Sequence, residues 1–289
     1  MTPHQVSLPA STKFVLSKKA LEVTGARGSD KSLLMDQDGK DRGRAPSSTP
    51  SPLLSVVAPM FNEAGGAGLL VDEIAAALKG VDHEIVMVDD ASTDDTLSVL
   101  KAARERHPQL RIIRHEKNAG QSRAVRTGIL AAQAPVIATL DGDGQNNPAD
   151  IPALYQKLSA ADAKLAMVAG ERQGRQDSAA KKFASRAANG IRRRLLNDGA
   201  ADTGCGLKVF RREAFLRLPY FDHLHRYLPA LMVREGYEVD FAPVSHRARA
   251  HGQSKYNNFG RALVAIRDLM GVIWLNARAR NPGETREEL

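Results

Sequence analysis

Two aspartates one residue apart, Asp141 and Asp143, close an apolar run in the stretch TLDGDGQNNPADI, residues 139–151. They bring two like charges to one glycine-rich turn, and like charges that close disfavour each other's ionised form. A hard divalent cation offsets this, because Mg2+ or Mn2+ takes one or two carboxylates and completes its shell with phosphate oxygens and water. Such an ion serves a reaction in which a phosphate-bearing group departs and its charge must be stabilised. Asp143 is the best-placed ligand, with the Gln145 amide oxygen completing the site. The competing reading is a solvated acidic turn, since Asp and Gly are ordinary turn residues. What else gathers at the same edge decides between the two.

The elements that must position this pair are legible as an alternation of strands and helices after Pro52. LLSVVAP (53–59), HEIVMVDD (83–90), LRIIRH (110–115), APVIATLD (134–141) and KLAMVAG (164–170) read as strands from their short apolar, β-branched runs. Helical spacing marks 68–80, 92–107, 122–133 and 148–160. The second of these is expected to be capped by Ser92 or Thr93, with Asp94 and Asp95 in its first turn. Strands separated by such helices imply right-handed crossovers and a mostly parallel sheet, an α/β Rossmann-like architecture. Ligands bind beyond the carboxyl ends of strands in such sheets, and the clusters MFNE, DDASTDD and DGDGQ all fall there. Farther on, 181–197 reads as a strongly basic helix. A second amphipathic helix over 261–280 sets Leu263, Ile266, Met270, Ile273 and Trp274 on one stripe. Residues 1–51 mix polar residues, Gly and Pro without period, so they read as a disordered or weakly ordered extension before a single catalytic domain (52–260) and an amphipathic tail (261–289).

Composition narrows the partners. The 289 residues carry a formal net charge of +8, which favours anionic partners: nucleic acid, phosphorylated small molecules or an acidic membrane surface. One cysteine, Cys205, excludes a disulfide framework and a cysteine-rich zinc site and fits a reducing compartment, so a cytoplasmic setting is expected. No secretory signal and no bilayer-spanning run is expected. No GxGxxG follows a strand, and there is no GxxxxGK[ST] or GxSxG, which removes the main supports for dinucleotide oxidoreduction, P-loop phosphoryl transfer and serine hydrolysis. Without aromatic stacking runs or a recognised motif, nucleic acid is not an expected partner.

In order and spacing, PMFNE (59–63), VDDASTDDT (88–96), NAGQSRAVRTG (118–128) and DGDGQ (141–145) resemble the nucleotide-sugar half of family 2 glycosyltransferases of GT-A type fold. The resemblance implies that Pro59, Phe61, Asn62 and Glu63 shape the base and ribose pocket. It further implies that Val88, Asp89 and Asp90 belong to the nucleotide site, one aspartate contacting the base, and that Asp141, Gly142 and Asp143 belong to the donor site, with Asp141, one step back at the strand end, expected to face the ribose or the sugar. Segments 170–189, 202–213, 223–239 and 246–257 resemble polyprenyl-phosphate glycosyltransferases of the dolichol-phosphate mannose synthase group.

That second resemblance implies direct displacement, with inversion, of a nucleotide by a polyprenyl (dolichyl or undecaprenyl) monophosphate. GDP-mannose is the first donor expected and UDP-glucose its rival. A lipid monophosphate is already anionic near neutral pH, so positive charge rather than a general base is what the protein must supply. Arg172, Arg249 and Lys255 are the candidates to hold it, assisted by Arg175, Lys181 or Lys182, because arginine engages phosphate oxygens two at a time. His225 and Arg226 are secondary candidates. The 261–280 helix is expected either to lie peripherally on an anionic cytoplasmic membrane face or to pack on the sheet. The alternatives are a family 2 transferase that extends a polysaccharide and a non-catalytic nucleotide-binding relative.

Overall fold

The computed structural model describes residues 51–173, 190, 192–248 and 258–280, the last without side chains before Val264. Seven strands form one mixed sheet: β1 (Leu54–Met60), β2 (His83–Asp89), β3 (Leu110–Arg114), β4 (Val136–Thr139), β5 (Leu165–Arg172), β6 (Lys208–Arg211) and β7 (Glu238–Val244). Their order is β3-β2-β1-β4-β6-β5-β7. The first four run parallel, β6 is antiparallel to both β4 and β5, and β5 is parallel to β7.

All seven residues of β1 are buried, because both faces of the sheet are covered. Alternate residues serve opposite faces. Val56, Ala58 and Met60 join Leu70 and Ile74 of α1 (Ala64–Ala77), Leu100 of α2 (Thr96–Arg106) and Leu154 of α4 (Ile151–Ala160). Val57, Val86 and Val88 join Ile129 of α3 (Gln121–Ala131), Phe215 of α5 (Arg212–Leu216), Leu231 of α6 (Leu228–Arg234) and Val272 of α7 (Asn258–Arg278). A Cβ at Gly128 would stand 2.4 Å from a Val57 methyl, so glycine lets α3 press directly on β1.

Two helix starts differ from the sequence expectation. Helix α1 begins at Ala64, four residues before 68, because its first amides find acceptors outside the helix: the Ala64 N–H donates to Asp94 Oδ2 (3.2 Å). Helix α2 begins at Thr96, not after Ser92 or Thr93, so Asp94 and Asp95 lie ahead of its first turn. Ser92 and Thr93 are instead spent on the neighbouring loop, and Asp94 takes over at the helix start, accepting from the Thr96 N–H at 3.0 Å.

Candidate active site

The loops after β1 and β2 brace each other. Asn62, at φ 56°, accepts from the Thr93 N–H (2.8 Å), its own N–H donates to Ser92 Oγ (3.0 Å), and the Glu63 N–H donates to Thr96 Oγ1 (2.9 Å). A left-handed turn is one that asparagine tolerates better than most residues. Pro59 pairs with Val88 in register, and the Asp90 N–H continues the ladder to Met60 O. Val88 itself is fully buried beneath α3, so its side chain supports this edge from the core rather than lining it.

Asp89 and Asp90 are both buried and both bonded within the protein. Asp89 accepts from the Ser92 N–H (3.0 Å) and stands 3.4 Å from Arg114 Nε. Asp90 accepts from the Ala119 and Gly120 N–H groups (2.9 and 2.8 Å) and lies 2.7 Å from His115 Nδ1. These bonds make Asp90 the anchor of the loop that delivers α3 to the edge.

The acidic turn after β4 is equally fixed. The Asp141 N–H donates to the buried Asn146 Oδ1 (2.9 Å) and the Gln145 N–H to Asp143 Oδ1 (3.1 Å), with Gly144 at φ 72°. A Cβ at Gly142 would fall 2.4 Å from Pro59 O, so this turn sits directly against the end of β1, uniting the PMFNE and DGDGQ motifs. Burial, and next the charge of Asp143, push the Asp141 carboxyl up to about 6.

Three residues that the sequence reading missed surround Asp141. Gln121, at the first turn of α3, donates from Nε2 to Asp141 Oδ1 at 2.7 Å. Gly206 packs so closely that an added Cβ would meet the Asp141 carboxylate at 2.4 Å. Lys208, on β6 and 3% exposed, donates from Nζ to Cys205 O and is the foremost group favouring ionised Asp141. Gln121 lies within the NAGQSRAVRTG stretch and Gly206 and Lys208 within DTGCGLK, but nothing in either run singles these residues out as neighbours of Asp141.

Arg172, expected to bind an acceptor phosphate, is engaged by Asp202, with Nε to Oδ2 at 2.6 Å and NH2 to Oδ1 at 2.8 Å. Arg175, Lys181, Lys182, Arg249 and Lys255 lie outside the described residues. The chain leading to Arg249 is placed at the acidic turn: the Arg247 N–H donates to Gln145 O (3.0 Å), His246 bridges Asn146, and the Arg247 guanidinium holds Glu73 (2.7 Å). His225 Nδ1 lies 2.7 Å from Ser122 Oγ, next to Gln121 in sequence, and burial keeps its ring well below the usual imidazole range. The 261–280 stripe divides: Ile273 packs toward the core beside Leu269, while Ile266, Met270 and Trp274 are exposed, and the Leu263 side chain is outside the described residues.

A crossover α/β sheet with carboxylates gathered at the carboxyl ends of β1, β2 and β4 is the GT-A type of nucleotide-sugar fold. Residues 55–218 match Glycosyl transferase family 2. The chain belongs to that family and is a glycosyltransferase.

A dodecaprenyl-phosphate galacturonate synthase of Rhizobium johnstonii is 36% identical over 236 residues, covering 80% of this chain and 69% of that one. An undecaprenyl-phosphate 4-deoxy-4-formamido-L-arabinose transferase of Edwardsiella ictaluri is 34% identical over 207 residues, covering 70% and 62%. The chain thus spans about two thirds of the length of these relatives. Among solved structures, a glucosyl-3-phosphoglycerate synthase from Mycobacterium tuberculosis, with Mn2+ and UDP, aligns with a TM-score of 0.59 at 17% identity over 80% of this chain and 82% of that one. A Pyrobaculum calidifontis mannosyltransferase, with GDP-Man and Mn2+, aligns at 0.58 and 20% identity over 81% and 67%. These two share the fold.

Proposed function

We propose that the chain transfers a glycosyl unit, a hexose in the first instance, from a nucleoside diphosphate sugar to a polyprenyl monophosphate, with inversion at the sugar carbon. The observation that carries the donor half is the Asp141–Asp143 pair on the turn after β4, where burial and the neighbouring Asp143 charge push the Asp141 carboxyl up to about 6. Among the described residues no group of three or more His, Cys, Asp or Glu side chains is set to hold a metal. A carboxylate with an amide oxygen two residues on is a donor set for Mg2+ or Mn2+ held by Asp143, with Gln145, and completed by diphosphate oxygens. When bound, the ion stabilises the charge of the departing nucleotide.

The remaining roles belong to the chain's own groups. The braced loops at 59–63 and 89–94 form the wall for base and ribose, and Asp141 accepts from sugar hydroxyls. Arg249 and Lys255, with Arg175 and Lys182, hold the acceptor phosphate so that its oxygen faces the sugar carbon. What supports the reading for Arg249 and Lys255 is that Arg247, two residues before Arg249, donates its N–H to Gln145 O. The acceptor class is supported by the relatives, both named for polyprenyl-phosphate products or substrates.

No described helix is long and apolar enough to cross a membrane. Peripheral contact at the cytoplasmic face is supported by Ile266, Met270 and Trp274, exposed on α7 alongside Arg267 and Arg278. The test is label transfer from a panel of UDP- and GDP-sugars, galacturonate included, into extractable lipid, with Mn2+ and with chelator. Metal-dependent label in lipid phosphate is expected; transfer that needs no lipid phosphate overturns the reading.

A further inference from the structure

Consecutive residues of the acidic turn pair, in antiparallel sense, with consecutive residues that follow β7. The Arg247 N–H donates to Gln145 O (3.0 Å), His246 bridges Asn146, and Asn147 Nδ2 donates to Ser245 Oγ (2.9 Å). One end of this short ribbon is pinned by Asp150 Oδ2, which accepts from both the Ser245 N–H (2.9 Å) and the Ser245 hydroxyl (2.7 Å). The other end, beside Gln145, is pinned by the Arg247 guanidinium. Its NH1 lies 2.7 and 2.8 Å from the two Glu73 oxygens on α1, and its NH2 donates to Asn147 Oδ1 at 2.5 Å. Asn146 carries the restraint back to the start of the turn, because its Oδ1 accepts from the Asp141 N–H at 2.9 Å.

The turn needs such a restraint. Gly142 and Gly144 bring no side chains to hold it, and Gly144 stands at φ 72°. A neutral amide oxygen is a weak ligand for a hard cation, so what it contributes depends on the groups that hold it in place beforehand. The Arg247–Glu73 pair is 41% and 29% exposed, a setting in which an ion pair contributes little to global stability. What a guanidinium engaged on two sides supplies is direction. We propose that Arg247 is a positioning residue for the donor cation: clamped between Glu73 and Asn147, it fixes the turn from Gln145 to Asn147 so that Gln145 and Asp143 are set for one ion before it arrives.

The role assigned to the cation rests on the donor-site reading above, whereas the clamp itself does not, so two measurements separate them. The first is amide hydrogen exchange in metal-free protein. Arg247→Met should speed exchange across residues 141–147 and leave β1 and β2 at parental rates, since only a local opening is made easier. Parental exchange across 141–147 overturns the clamp, and faster exchange throughout the sheet does the same.

The second measurement is calorimetric binding of MnCl2 with UDP and, separately, with GDP. Arg247→Met should weaken Mn2+ binding by about tenfold or more, the scale of losing a group that orients a metal ligand. Arg247→Lys, which keeps a charge toward Glu73, should recover part of that loss. Arg106→Met cuts a comparable ion pair, to Asp72 on the same helix α1, and should bind Mn2+ as the parent does. Parental Mn2+ affinity in Arg247→Met, or an equal loss in Arg106→Met, overturns the positioning role. If Asp143→Ala binds Mn2+ and nucleotide as the parent does, the donor-site reading fails, while the exchange measurement still decides the clamp.

Discussion

Two acidic side chains at opposite ends of the parallel strands have received opposite treatment. Glu84, at the amino end of β2, is buried and saturated: it accepts from Ser55 Oγ (2.6 Å), the Gln133 N–H (2.5 Å) and Arg111 NH1 (2.5 Å). Ser55 passes the network on by accepting from the Ala134 N–H at 3.1 Å. Asp141, at the carboxyl end of β4, has among the described residues one side-chain donor, a like charge two residues on and an ammonium that only partly offsets its burial. Every lone pair of a structural carboxylate is worth satisfying, because an unmet buried charge destabilises the fold. A carboxylate left short of partners at a strand end where ligands bind is reserved for a ligand. Binding can then supply what folding withheld.

The contrast breaks most visibly under truncation. Asp143→Ala should lower metal-dependent transfer by about a thousandfold or more, the scale of losing a main electrostatic stabiliser of a departing group, while Tm changes little. Full activity of this variant in chelator would remove the metal from the donor site. Glu84→Ala should do the reverse. It leaves the Arg111 guanidinium, the Ser55 hydroxyl and the Gln133 amide without their shared acceptor, at a cost of about 3 kcal/mol in stability. Nucleotide binding per folded molecule should survive, and chemical denaturation beside calorimetry checks both halves. A stable Glu84→Ala protein with lost nucleotide affinity would mean that the two ends are not separable in this way.

The strand–helix alternation and the edge where the site lies were legible because they depend on local period and on a topological rule. DGDGQ, PMFNE and VDDASTDDT were legible for the same reason, each being a short run at a strand end. The partners of Asp141 were not, because Gln121, Gly206 and Lys208 come from a helix start and an antiparallel strand 20, 65 and 67 positions away in sequence. No local pattern announces that β6 inserts between β4 and β5. Ser92 and Thr93 were misread as caps because propensity saw their own helix and not the loop after β1, which claims them. The partner of Arg172 was equally hidden, because Asp202 lies 30 residues on.

A smaller effect sharpens the contrast through pH. In the folded, metal-free protein Asp141 titrates near 6, above its ordinary value of 3.8. Between those values the folded state holds a proton that the unfolded chain has lost, so its contribution to stability falls as pH rises through the window. Asp141→Asn removes this titration. Its Tm advantage over the parent should be absent below pH 4, grow toward pH 6 and level off above it. An advantage that is constant from pH 4 to 7 would mean that Asp141 is not the group held out of balance.

The smallest effect expected lies far from both carboxylates, on α7. Its inner face is fixed by Val272 in the core, by Asp268 against His223 Nδ1 (2.9 Å) and by Tyr227 Oη donating to Ala265 O (3.2 Å). Those contacts tie the helix to the segment carrying His225 and leave Met270 and Trp274 outside, 59% and 63% exposed. Large apolar side chains left outside between arginines fit an interfacial role, and each adds only a modest amount of burial in a headgroup layer. Trp274→Ala should therefore weaken co-sedimentation with vesicles containing anionic lipid by about tenfold, roughly 1.4 kcal/mol, and leave Tm and nucleotide binding unchanged. If Trp274→Ala unfolds the protein instead, the outer face of α7 is covered within the fold or by another copy, and the membrane assignment of this helix falls.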